Sequence, residues 1–195
     1  MKRALVLGVN GQCGSYLAEI LLEKGYEVHG MVRRPPDGNL QNIKPILDNP
    51  AFFLCHGDIG DTSSLTRVLD LVQPCEIYNL ADQGHPGASY DLPEYSARIT
   101  GFSVAHILET LKRTNPKVHY FQPCTSHMFG IPASDIQTEE TPFDPQSPYA
   151  CAKTYAYYLC RYYRKTHNIF ASTAIMYNSE SPRRPLNYVS RKISR

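Results

Sequence analysis

The chain has 195 residues, enough for one domain with a substantial buried core and the beginning of a second. Twenty Lys and Arg against eighteen Asp and Glu leave a formal charge of +2, so no nucleic-acid or membrane partner is implied. No apolar run approaches the length of a transmembrane helix, and the first element reads as a strand with no signal-peptide core behind it, which predicts a cytoplasmic protein.

In chain order, the apolar run Ala4–Leu7 predicts a strand. It runs directly into Gly8-Val9-Asn10-Gly11-Gln12-Cys13-Gly14 and a helix over Gln12–Lys24. Strand, glycines, then helix is the context in which a dinucleotide's pyrophosphate approaches backbone N–H groups at a helix N-terminus. Gly8, Asn10, Gly11, Gln12, Cys13 and Gly14 are therefore candidate cofactor contacts. A second strand, Glu27–Val32, ends in Arg33-Arg34. NAD sites usually carry an acid about 20 residues beyond the glycines; two arginines instead suit the 2′-phosphate of NADP. The polar stretch Pro35–Pro50 reads as a long loop that orders only against a partner or cofactor.

The third strand, Ala51–Cys55, leads to His56-Gly57-Asp58-Ile59 and a helix over Thr62–Val72. Asp58 can accept from an adenine amine or cap that helix, and Ile59 would flank the same base. The fourth strand, Glu76–Leu80, places Leu80, Ala81 and Gln83 beside a ribose and nicotinamide. Asp82 is out of character there, because a carboxylate would repel cofactor phosphates unless it points away. A helix over Tyr95–Thr114, a strand over Val118–Pro123, a helix over Tyr149–His167 and a strand over Phe170–Met176 complete the alternation.

Apolar strands alternating with helices are buried on both faces, which predicts an α/β, Rossmann-type doubly wound parallel sheet with helices on both faces. The alternation predicts a cofactor domain over residues 1–176, with 177–195 lying beyond its last strand; the resemblance given below implies that 177–195 begin a sugar-nucleotide-binding region. The six cysteines show no CxxC pair and read as reduced core or loop thiols, with no metal site expected.

Chemistry is predicted at Tyr149 and Lys153, which share one helix face at i and i+4. An adjacent ammonium lowers a phenol's pKa and makes it a usable acid/base near neutrality. Thr125, at the end of the fifth strand, would hold a substrate oxygen toward the tyrosine.

With these residues on view, the chain resembles the extended short-chain dehydrogenase/reductase family, and within it the GDP-mannose 4,6-dehydratase family over essentially its whole length. The resemblance is carried by Gly11-Gln12-Cys13-Gly14-Ser15-Tyr16-Leu17-Ala18-Glu19, Leu22 to Gly30, Arg33-Arg34, Asp91-Leu92-Pro93-Glu94-Tyr95 and Ser147-Pro148-Tyr149-Ala150. Tyr177-Asn178-Ser179-Glu180-Ser181-Pro182-Arg183-Arg184, followed by Val189-Ser190-Arg191-Lys192-Ile193, is the most specific stretch.

The resemblance implies internal redox catalysis on GDP-mannose or a related nucleotide sugar. NADP takes hydride from C4 of the mannosyl group, water leaves across C5–C6, and hydride returns to C6, giving GDP-4-keto-6-deoxymannose on the route to GDP-fucose. It implies Tyr149 as base at the C4 hydroxyl, Lys153 on the nicotinamide ribose, Thr125 on the C4 oxygen, Ser89 near the sugar, and Asn178 and Lys192 on the diphosphate. Arg34 and the loop after it match a segment that builds a tetramer and reaches cofactor. A homo-oligomer (dimer or tetramer) and association with a full-length paralogue are both open.

Some positions depart from that pattern. His127 stands where the family has a glutamate that moves the proton and water at C5–C6. Histidine can also exchange protons near neutral pH. Cys13 and Arg98 replace aspartates, Asp82 replaces a small residue, and Thr100, Ser103 and Val104 differ beside the site. The family also continues for a comparable stretch that holds most of the sugar-nucleotide domain. Three functions follow: dehydratase, with His127 in the glutamate's place; NADP-dependent sugar-nucleotide reductase or epimerase; and catalytically impaired paralogue that binds cofactor or a subunit.

Overall fold

In β1 (Arg3–Leu7), Leu5 and Leu7 enter one core cluster and Ala4 and Val6 the other, because successive side chains of a strand point to opposite faces. The computed structural model containing that strand describes residues 1–33, 39–132 and 134–194. The remaining strands are β2 (Glu27–Val32), β3 (Phe52–His56), β4 (Glu76–Asn79), β5 (His119–Thr125) and β6 (Phe170–Met176). They form one sheet in the order β3-β2-β1-β4-β5-β6, every pair parallel. The strand order reverses at β1, where Leu7 pairs with Met31 on one side and Asn79 on the other. The crevice above that reversal is where open α/β sheets take ligands.

Two apolar layers hold the helices down. On one face α1 (Gln12–Glu23) lays Ala18 and Leu21 over Val6, Val28 and Val32. On the other, α2 (Thr62–Val72) packs Leu65 and Val68, and α5 (Ser103–Thr114) packs Ile107 and Leu111, over Leu7, Ile77 and Tyr120. Shorter helices α3 (Ala88–Asp91) and α4 (Pro93–Ser96) precede α5, and α6 (Pro148–His167) and α7 (Val189–Ile193) follow it.

Two expectations change. Residues 39–50 are not all irregular loop: a 3₁₀ turn, Gln41–Ile46, buries Ile43 and Ile46 under the α1 layer. Their i, i+3 spacing eclipses them on one side of such a turn, so two isoleucines anchor an otherwise polar loop. Further on, the helix predicted over Tyr95–Thr114 is divided by a π-helical turn at Ala97–Phe102. There Ser103 Oγ donates to Ile99 O (2.6 Å), and Thr100 Oγ1 accepts from Gln83 N (3.2 Å), tying the turn to the end of β4.

The start of α6 positions the predicted chemistry. Ser147 caps it by accepting from Ala150 N (3.1 Å), with Pro148 pre-set for the first turn. Tyr149 therefore projects from a fixed helix end, with Lys153 one turn below. Among the described residues no helix is long and apolar enough to cross a membrane.

Candidate active site

The glycine loop is shaped first by the protein's own backbone. Gly8 has φ +76, and a Cβ there would lie 2.8 Å from Leu80 O. A Cβ on Gly14 would lie 2.3 Å from Gly8 O. Both glycines let the loop close against β4 and α1. Gly11 is different: a Cβ there meets only Gly8 O at 3.3 Å and would otherwise project into open space. Gly11 is also the N-cap of α1 and offers no side-chain acceptor, so the first-turn N–H groups keep their capacity to bind an anion.

That space is a cavity of about 430 Å³ lined by Gly8, Asn10, Gly11, Arg33, Asp58, Ile59, Leu80, Ala81, Asp82 and Gln83. Arg33 Nη1 donates to Tyr95 Oη (2.7 Å) across it. Arg34 lies outside the described residues. Asp58 does not cap α2. The cap is Asp61, which accepts from Ser63 N and Ser64 N, because it is the residue immediately before the helix. Asp58 instead accepts from Gly60 N (2.8 Å) while lining the cavity. Gln83 is tied down, donating to His85 O (3.1 Å) and accepting from Ser96 Oγ (3.1 Å).

A second cavity, about 670 Å³, shares Gly11, Leu80 and Asp82 with the first. Gln12, Cys13, Gly14, Thr125, His127, Tyr149, Lys153, Asn178 and Lys192 lie on its wall. Thr125 and Tyr149 are buried, and Thr125 Oγ1 accepts from His127 N (3.3 Å). The His127 ring is exposed and meets the Tyr149 ring edge-on at 6.2 Å. Asn178 and Lys192 are exposed residues lining the same cavity. Ser89 is not brought to either cavity: it is fully buried, and its hydroxyl donates to Pro86 O (2.6 Å).

The electrostatics differ from the sequence expectation. Lys153 Nζ lies 5.7 Å from the Tyr149 ring centre, but it also pairs with Asp82 Oδ2 at 2.7 Å. Burial pushes the Tyr149 phenol above its ordinary value. The lysine's pull downward is outweighed by that burial together with the Asp82 carboxylate. For Lys153, burial disfavours the charge, but the Asp82 carboxylate more than offsets it and the ammonium holds its proton more tightly than usual. Tyr149 therefore holds its proton more tightly than an ordinary tyrosine.

The sequence comparisons agree on one family. A model described as GDP-mannose 4,6 dehydratase matches residues 5–195. The chain is similar to the GDP-mannose 4,6-dehydratase of Yersinia enterocolitica (45% identical over 202 residues, all of this chain, 54% of that protein). The human GDP-mannose 4,6 dehydratase is 44% identical over 98% of this chain and 54% of its own. The chain belongs to the GDP-mannose 4,6-dehydratase family. It spans about half the length of these curated relatives (54%). Among solved structures, dTDP-glucose 4,6-dehydratase from Streptomyces venezuelae with NAD bound matches the fold with a TM-score of 0.88. That match is at 24% identity and covers 97% of this chain and 60% of that one.

Within the family frame, three residues stand out that sequence reasoning did not place. Arg183 is not merely surface charge: it donates to Ser15 Oγ (3.1 Å), pairs with Glu19 (2.6 Å), and lies over the Tyr16 ring (4.1 Å), strapping the chain after β6 onto α1. Arg184 is buried on the wall of the second cavity, bonded to Ser179 O and Glu180, with its Nε unpartnered. Tyr188, whose hydroxyl donates to Gly84 O (2.7 Å), closes the same wall. The adjacent Arg-Arg pair carried the signal, but only packing separates the strap from the cavity residue. The buried thiols Cys124 and Cys160 are raised in pKa by burial, Cys124 to about 11, and are inert packing groups.

Proposed function

We propose that this chain carries the cofactor half of a GDP-mannose 4,6-dehydratase-type site: NADP in the joined cavities, and a GDP-linked hexose, GDP-mannose first, against Thr125, Tyr149 and His127. The observation that carries the reading is the convergence of Thr125, Tyr149 and Lys153 on one wall of the cavity that opens onto Gly11. The fit to a dinucleotide rests on Gly11, where a Cβ would fill the space, and on the uncapped first turn of α1. Arg33 favours a 2′-phosphate over a free ribose hydroxyl. Residues 1–176 serve as the cofactor domain, and 177–195 begin the sugar-nucleotide region, with Asn178, Arg184 and Lys192 as its anion and diphosphate contacts.

When bound, NADP supplies the acceptor and donor of hydride. This chain's residues do the rest. Thr125 holds the sugar C4 oxygen, and Tyr149 takes the C4 hydroxyl proton at its phenolic oxygen. Tyr149 does so as the phenolate, after its own proton has left to solvent, and the Lys153 ammonium stabilises that form. His127 exchanges the proton at C5–C6, since an imidazole can both give and take a proton. Mass spectrometry of GDP-mannose after incubation with protein and NADP tests this: a product lighter by one water supports the reading. An unchanged sugar nucleotide, with protein shown to be folded, contradicts it and leaves an impaired, cofactor- or subunit-binding member of the family.

A second reading is NADP-dependent reduction of a keto-sugar nucleotide, which uses Thr125, Tyr149 and Lys153 on the same wall without a group for the C5–C6 elimination. NADPH oxidation by a 4-keto sugar nucleotide, without loss of water from GDP-mannose, would select it.

A further inference from the structure

Asp82 follows β4 on the wall that the two cavities share, and Lys153 rises from α6 one turn after Tyr149. Oδ2 and Nζ are 2.7 Å apart, and the lysine side chain is 3% exposed. Lys153 Nζ also donates to Pro123 O (3.0 Å), the carbonyl that accepts from Gln122 Nε2 (3.1 Å). Gln122 Oε1 in turn accepts from Tyr120 Oη (2.6 Å) and Asn79 Nδ2 (2.8 Å). Every partner in that buried chain except Asp82 is neutral. One carboxylate therefore sets how much of the ammonium's charge is left for its other neighbours.

We propose that Asp82 is a positioning residue for the acid/base tyrosine: its carboxylate holds the Lys153 ammonium in a buried ion pair at the seam of the two cavities and takes a share of the charge that Tyr149 would otherwise feel alone. The inference rests on the reading of Tyr149 as the group that exchanges the proton. Facing the phenol are Lys153 from its own helix, Thr125 and His127 from the end of β5, Asp82 from the end of β4 and Tyr188 from the segment before α7. Cys124 also faces the ammonium. With the pair intact, Tyr149 keeps its proton at neutral pH, and proton removal from a substrate hydroxyl strengthens as pH rises. A ligand hydroxyl reaching Lys153 must compete with Asp82 for the same protons.

The test is a pH titration of the ligand-free chain labelled with ¹³Cζ-tyrosine, with the Tyr149 resonance identified by its loss in Tyr149→Phe. Asp82→Asn keeps the volume and removes the charge, and should lower the Tyr149 midpoint by about 1 pH unit or more. Lys153→Met should raise it. Asp82→Glu, which keeps the charge, should return the midpoint toward the wild-type value, a rescue that a purely structural role would not give. Should Asp82→Asn fail to fold, Asp82→Ser serves in its place. A Tyr149 midpoint unmoved in the folded neutral variant overturns the proposal. The titration needs no turnover, so its failure and the failure of the dehydratase reading are told apart.

Discussion

Around Gly11 the cleft is made of backbone, and around Lys153 it is made of buried side chains. At the first end the design is subtractive. Gly8 and Gly14 let the chain close on itself, and Gly11 leaves the N-terminus of α1 bare. At the second end it is additive: Tyr149 and Lys153 are buried beside the end of β5, and the charge is balanced by Asp82, far away in sequence at the end of β4. A site built by omission tolerates little added volume, whereas a site built from buried charge tolerates little loss of a partner.

The contrast can be broken by substitution at either end. The largest effect is expected from Tyr149→Phe, which keeps the ring and removes the proton-exchanging oxygen. Redox turnover, by whichever reaction is found, should fall by about 10²–10⁴-fold in steady-state assays, with thermal stability nearly unchanged. Retained turnover would take Tyr149 out of the chemistry.

Next, Asp82→Ala strands the buried Lys153 ammonium on one neutral carbonyl. Loss of a partner from a buried ion pair costs about 3 kcal/mol, read in calorimetry as a fall in Tm of roughly 6–12 °C. An unchanged Tm would mean the pair is exchanged freely for water.

The glycine end can be split against itself. Gly14→Ala puts a Cβ 2.3 Å from Gly8 O and should destabilise the fold by about 2–3 kcal/mol in urea denaturation. Gly11→Val places its side chain in the cavity and should leave the fold intact while weakening NADPH binding more than about 10-fold by fluorescence titration, as expected when a bulky group displaces a backbone–phosphate contact. If both variants lose stability equally, the loop is only a turn. The smallest effect is expected at the cap of α6, where Ser147→Ala should cost about 1 kcal/mol.

What the sequence made legible follows the same division. The bounds of β2, α2 and β6 coincide with their apolar runs, because local periodicity dictates them. Tyr149 and Lys153 share a wall as helix spacing requires. The Asp82–Lys153 pair was not legible, since no local pattern ties the end of β4 to the first turns of α6. The sequence did mark Asp82 as out of place beside cofactor phosphates, and the answer is that the carboxylate turns to an ammonium. The net upward shift of Tyr149 was missed for the same reason. An i+4 lysine pulls the phenol downward, but burial and a distant carboxylate pull harder the other way. The 3₁₀ turn at Gln41–Ile46 was missed because two isoleucines in a polar loop give no period to read. Ser89 matched a position in a pattern, yet its hydroxyl serves Pro86 O within a short turn.

As proposed, both ends form one cofactor cleft around the shared lining residues Gly11, Leu80 and Asp82. Equilibrium fluorescence titration of the chain with NADPH, with NADH in parallel, tests it most directly. Saturable binding of one NADPH per chain, tighter than NADH, is the predicted result. A folded chain, shown by a cooperative melt, that binds neither nucleotide saturably would contradict it.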